Sequence, residues 1–300
     1  MRKLPVFKTV GEVLSGVTTH YFQLLIAAWP AILLWAAAVG MIVWVSHSPG
    51  VAPLAGGMPG ASESEKRQAI EALFSAENSP KLAAFGVLYI LGSAIAAVRW
   101  HRLVLFGEGT GTSFGRVRPL RREDGTYLWT IIKIYLAWMT FLIVVGTIFL
   151  LLDRLTGTGG LGSLNFVLIL VALYGYCWAF GANLRLMLAL PDAALGLGGR
   201  LGFVFHASVG NSWRLLGAVF ITGILMVLAF TVTGFFVGLF AQLAQRMGWG
   251  GSTLATVFGF AVQAAIYIFF MMSQITLLSV AYREIVGLPS SPESEAAHPA

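Results

Sequence analysis

The feature that most constrains this sequence is a set of six apolar stretches, roughly Leu24–Val45, Leu82–Phe106, Leu128–Leu152, Leu164–Leu190, Leu215–Ala241 and Thr253–Ala281. Each is long enough to cross a hydrocarbon core about 30 Å thick, which takes roughly 20 residues of α-helix. In lipid no water satisfies a backbone N–H or C=O, so a spanning segment is a helix or part of a closed barrel. The alternation and roughly ten-residue spacing of barrel strands are missing from these stretches. The expected fold class is therefore all-α, a polytopic membrane protein with six transmembrane helices. Composition agrees: 57% of the residues are hydrophobic and only 11% charged, against about 25% charged in a soluble domain. The first run is too long for the core of a signal peptide, about 7–15 residues, and reads as an uncleaved anchor.

Lysine and arginine set the expected orientation. Fourteen lie on one side of the six spans: Arg2, Lys3 and Lys8 before the first; Arg99, Arg102, Arg116, Arg118, Arg121, Arg122 and Lys133 around the second connection; then Arg185, Arg200, Arg214 and Arg283. The other side has five, namely Lys66, Arg67, Lys81, Arg154 and Arg246. The positive-inside rule places the fourteen, and both termini, in the cytoplasm. The net charge of +6 thus reads as attraction to an anionic inner leaflet, and no basic-aromatic stripe points to nucleic acid.

The run "VRWHRLVLFGE" (98–108) concentrates charge at the inner end of the second span. An arginine at the bilayer centre costs about 2.5–3.5 kcal/mol on insertion scales, whereas at a helix end it snorkels to the headgroups. Arg99, Trp100, His101 and Arg102 are accordingly expected as inner-interface anchors, with Lys133, Arg185, Arg214 and Arg283 in the same role.

The ending "RLVLFGE" resembles "RLMLALPD" (185–192), and "YREIVGL" (282–288) closes the last span more loosely. Lead-ins to the odd spans also recur, at His20, Thr126 and Asn211. Phe7, Val10, Leu14, Val17 and Tyr21 repeat at helical spacing before the first lead-in, as do Leu201, Val204, Phe205 and Val209 before the third. Such stretches read as amphipathic helices lying in the inner interface, apolar side down. The pattern suggests three units, each an interfacial helix followed by a transmembrane hairpin. A single membrane domain over 1–288 is expected, with an interfacial arm at 1–23 and an external loop at 47–81. That loop carries a short amphipathic helix opened by a Ser62–Glu65 capping box and followed by Pro80. Residues 289–300 read as a flexible cytoplasmic tail.

Motifs for chemistry are weak. "GTSFG" around Ser113 matches a nucleophile elbow but no strand precedes it, and "GTGGLG" (157–162) sits in an external turn instead of a strand–turn–helix unit. His20, His101 and His206 lack metal-ligand spacing. Cys177 is a single thiol inside an apolar run, so neither a disulfide nor a CxxC clip is available. No cofactor, metal or catalytic residue is expected. No Asp or Glu lies near a span centre, which argues against a carboxylate relay. The deepest polar groups are Asn183, Thr222, Thr231, Thr233, Gln263 and Gln274, which read as interhelical hydrogen-bonding groups or as the lining of a polar path. Gly234 and Gly238 form a GxxxG match, which predicts close helix packing.

The layout, together with "ASVGNSWRLLGAV" (207–219) and its Asn211 and Leu215, resembles the YciC-like bacterial inner-membrane proteins. It is also similar to the membrane domain fused to some glycerophosphodiester phosphodiesterases. The resemblance implies a bacterial plasma-membrane protein without catalytic residues of its own, since no hydrolase domain accompanies it. The expected role is non-enzymatic, organising membrane or lipid or serving as an adaptor for envelope proteins. The alternative is a small transporter or channel for an amphiphile or neutral solute.

Overall fold

The computed structural model describes residues 2–46, 62–107, 121–156, 163–248 and 253–288, and every element among them is helical. In chain order these are α1 (Val6–Ala27), α2 (Trp29–Ser46), α3 (Glu63–Leu73), α4 (Ser79–Phe106) and α5 (Arg122–Thr156). They continue with α6 (Ser163–Met187), α7 (Ala189–Ala194), α8 (Leu201–Ala207), α9 (Ser212–Arg246) and α10 (Thr253–Ile285). Four of them (α4, α5, α9 and α10) are long and apolar enough to cross a membrane, and counting α1 with α2 as one bent span makes up to five. The chain is thus an all-helical protein with the helices of a multi-pass membrane protein. Several expectations fall outside the described residues: Ser113 and most of the second interfacial segment, the "GTGGLG" turn, the Pro/Gly part of the external loop, and the tail.

The axis turns by 76° between α1 and α2. The cause is local. Pro30 has no N–H, and its ring clashes with the carbonyl four residues back, so the helix breaks at Ala28. Beyond the break α2 lies along α4, the most extensive helix pair in the structure. The two approach at Gly92, where an added Cβ would sit 2.9 Å from the Trp35 ring and 3.2 Å from the Ala31 carbonyl oxygen. Here the structure corrects the GxxxG expectation. Gly234 and Gly238 face open space, with nothing within 4 Å of an added Cβ, because α9 and α10 diverge there around a small cleft of about 240 Å³.

Pro80 follows the external helix, which ends at Leu73, and sits in the first turn of α4, where its missing N–H would have had no helical acceptor anyway. The α1 stripe is also reassigned. Val10, Val13, Val17 and Leu24 are buried in the protein core, against α10 and α9, whereas Phe7 is 83% exposed. The apolar face of α1 therefore seals the protein instead of resting on lipid. In the third lead-in Val204 is likewise buried, while Val209 points outward.

The core is concentrated at one end, where Trp100, Leu188, Leu215, Leu277 and Tyr282 close together with α1. Away from it α5, α6 and α9 turn Tyr135, Ile143, Leu173, Trp178, Leu228 and Phe236 outward. An apolar exterior of this extent would be untenable in water and costs nothing when hydrocarbon is the solvent.

Candidate functional site

Of the residues that the sequence placed at the lipid interface, those at 99–102 turn inward. Trp100 is fully buried (0% exposed) and its indole N–H donates to the Leu24 carbonyl at 2.9 Å. It is a core residue, so its assignment to an aromatic belt is corrected. Arg99 is buried too, close enough to Asp124 for their charges to attract. Arg102 donates to the Ala194 carbonyl at 3.1 Å and lies 4.0 Å from Glu123. The two arginines do share one helix face, as their spacing requires. That face packs on α5 and α7, whose carboxylates and carbonyls replace lipid headgroups. His101 is fully buried, with Nδ1 2.7 Å from the Ser279 hydroxyl and Nε2 3.3 Å from the Tyr127 hydroxyl.

Arg185 stays at the protein surface of α6 but folds onto α8. It donates to the Ser208 hydroxyl at 3.2 Å and to the Phe205 carbonyl, and its guanidinium lies 3.8 Å from the centre of the Phe205 ring. Such a stacked guanidinium is held by charge and by dispersion together. Arg214 is exposed, and it donates to the Leu4 carbonyl at 3.0 Å. Lys133 is half-buried.

Asp192, whose partners the sequence did not reveal, is the hub of this end. It is 0% exposed. Its carboxylate accepts from the Arg200 guanidinium at 2.8 and 3.3 Å, the Arg200 backbone N–H at 2.9 Å and the Tyr282 hydroxyl at 2.9 Å. Gly196, Gly198 and Gly199, at φ 80°, 92° and 62°, let the chain double back in left-handed conformations so that Arg200 returns to Asp192. Burial pushes the Asp192 carboxyl up, but the hydrogen bonds from Arg200 and Tyr282 outweigh it and hold it below the usual carboxylate range. A tight Asp–Arg pair eight residues apart across a glycine turn was a signal available in the sequence.

Asn211 is a second junction. Its side-chain oxygen accepts from Leu4 N–H at 2.9 Å, and its amide donates to the Arg2 carbonyl at 3.0 Å. The N-terminal arm is thereby fastened to the start of α9.

Among the residues considered for a polar path, Thr231 is exposed and Thr233 half-buried, and their hydroxyls donate to the Val227 and Ala229 carbonyls of their own helix, both at 2.8 Å. Gln263 lines the small cleft beside Gly234 and Gly238. Gln274 is half-buried. The Thr222 hydroxyl and the Asn183 side-chain oxygen are buried without a hydrogen-bond partner.

A larger cavity, about 570 Å³, opens among α1, the end of α4 and α10. Its polar lining comes from Glu12, Ser15, His20, Thr276 and Arg283, and Leu24, Leu103, Val104 and Val280 supply the apolar part. Glu12 and Arg283 meet at 2.5 Å, each about one-third exposed. Sequence reasoning took Arg283 as an anchor and missed Glu12, which no helix-end pattern marks. Among the described residues, no group of three His, Cys, Asp or Glu side chains is placed to hold a metal ion. Compared with protein-family models, with curated proteins and with solved structures, the chain matches none.

Proposed function

We propose that this chain is a non-enzymatic, multi-pass protein of the bacterial inner membrane that engages and organises phospholipid at the inner leaflet. In this reading six helices span the bilayer, α6 among them, and both termini lie in the cytoplasm. The resemblance in layout to YciC-like proteins supports the setting. The observation that carries the reading is the clustering of Arg185, Arg200, Arg214 and Arg283 at one end of the bundle, with apolar walls exposed beyond it. A cation-rich end on an apolar body suits an anionic leaflet. Much of the chemistry at that end already serves structure: Asp192 holds Arg200 and Tyr282, and His101 is hydrogen-bonded between Ser279 and Tyr127. A transporter reading draws less support, because the Thr231 and Thr233 hydroxyls are already taken up by carbonyls of their own helix. An adaptor role for envelope proteins would use α3, whose Ile70 is exposed and is followed by the equally exposed Phe74.

Orientation is the part most directly tested. In a Cys177→Ala background, cysteines at Ser64 and at Lys8 are probed in intact cells with a membrane-impermeant maleimide. Labelling of Ser64→Cys in intact cells, and of Lys8→Cys only after permeabilisation, is expected. The reverse pattern would overturn the assignment.

A further inference from the structure

The cavity among α1, α4 and α10 has the size of a small-molecule site, for which about 300–1,000 Å³ is usual. It is narrower than a whole diacyl lipid, and it combines a charged mouth with an apolar wall. One of its groups is incomplete. Thr276 is 2% exposed and its hydroxyl has no hydrogen-bond partner. On the same helix Ser273 and Ser279 donate to the Phe269 and Ile275 carbonyls, at 2.9 and 3.0 Å. Thr276 forgoes that bond and borders the cavity, with its hydroxyl buried behind the wall, and a buried hydroxyl left unpaired carries a desolvation cost.

The charges at the mouth define what would fit. Lys8 lies 3.7 Å from Glu12, Glu12 lies 2.5 Å from Arg283, and Arg283 lies 3.6 Å from Glu284. Cations and carboxylates alternate and balance. A headgroup with a single negative charge would bring its phosphate up to the Glu12 carboxylate. A group with a phosphate and a primary ammonium instead gives Arg283 an anion and Glu12 a cation, so one ion pair is exchanged for two. A quaternary ammonium has no N–H to donate to Glu12 or Ser15, and among the described residues lining the cavity none is a Phe, Tyr or Trp of the kind that cages such a group.

We infer that this cavity is a binding site for the phosphoethanolamine headgroup of a phospholipid, with Arg283 on the phosphate and Glu12 on the ammonium. The acyl chains run out over the apolar wall of Leu103 and Val104. The site rests on the reading of the chain as a lipid-embedded protein and gives that reading a specific ligand.

The test is native mass spectrometry of the full chain, delipidated in mild detergent and titrated with dioleoyl phosphatidylethanolamine, phosphatidylglycerol or phosphatidylcholine. One phosphatidylethanolamine per chain is expected, retained about tenfold over the other two, the scale of one charge-assisted hydrogen bond. Glu12→Gln removes the carboxylate, leaves the mouth cationic and moves the preference to phosphatidylglycerol. Gly11→Leu, where an added Cβ meets nothing within 4 Å, keeps the fold, fills the mouth and lowers retention of all three. Equal retention of the three lipids, or a ranking unchanged in Glu12→Gln, would overturn the site. Soluble O-phosphoethanolamine binding as tightly as the lipid would overturn the lipid assignment and leave a free headgroup as the ligand. A chain that passes the maleimide test but shows no preference loses this site alone; one that fails the maleimide test loses the broader reading.

Discussion

Replacing Asp192 with Ala tests whether the helical end is held by one buried carboxylate. The substitution removes the acceptor of four hydrogen bonds, two from the Arg200 guanidinium, one from the Arg200 backbone and one from Tyr282. The guanidinium is 46% exposed and turns to solvent, so its share of the loss is only about 0–1 kcal/mol after screening. The Tyr282 hydroxyl and the Arg200 N–H have no such exit, and each orphaned group costs about 1–3 kcal/mol. The expected destabilisation is therefore about 3–5 kcal/mol, the range seen when one partner of a buried pair is removed. Arg200→Ala leaves the carboxylate with its backbone and Tyr282 donors and costs about 1–2 kcal/mol. Equilibrium unfolding by SDS in mixed micelles, followed by tryptophan fluorescence, measures both. The carboxyl is held below its ordinary value in the folded state, so its contribution is complete above the unfolded value and is lost as pH falls through the folded one. The gap between wild type and Asp192→Ala accordingly closes below about pH 4. The reasoning is refuted if Asp192→Ala costs no more than Arg200→Ala, or if the gap is the same at pH 7 and pH 3.

Two further expectations concern packing and the N-terminal arm. Gly92→Ala drives a methyl into Trp35 and the Ala31 carbonyl and costs about 1–3 kcal/mol as an overpacked site. Gly234→Ala and Gly238→Ala meet nothing and are neutral, or stabilising by up to about 1 kcal/mol through helix propensity; the same SDS titration ranks the three. Asn211→Ala leaves the buried Leu4 N–H without its acceptor, so hydrogen exchange at Leu4 accelerates by at least about tenfold, the equivalent of about 1.4 kcal/mol.

The apolar stretches were legible because lipid imposes length and hydropathy on each helix separately. The helices appear where those runs lie, and the break at Pro30 follows from one residue. What hydropathy does not carry is the direction in which a helix-end charge points. Arg99 and Arg102 turn inward because Asp124, Glu123 and the Ala194 carbonyl await them, and those groups come from elements far along the chain. Trp100 between two arginines has the local signature of a belt residue, yet its acceptor is a carbonyl 76 positions away. Glycine spacing misled for the same reason: "GFFVG" satisfies the motif, but close approach depends on what the facing helix presents. "LGSAIAA" (91–97) presents small residues at Gly92 and Ala96 and was the available cue to the true contact. The cavity was the least legible feature, since Glu12, Thr276 and Arg283 meet only after the first and last helices pack.

The clip between the N-terminal arm and Asn211 joins positions 207 residues apart. At a synthesis rate of about 5–20 residues per second, roughly 10–40 s separate the emergence of Leu4 from that of its partner. Throughout that interval α1 has neither α9 nor α10 to cover Val10, Val13 and Val17, and this naked stripe must shelter against the bilayer or the insertion machinery. Assembly of the bundle therefore has a built-in order: the segment before α1 is fastened only after Asn211 has been made, and α1 is fully covered only when α10 follows.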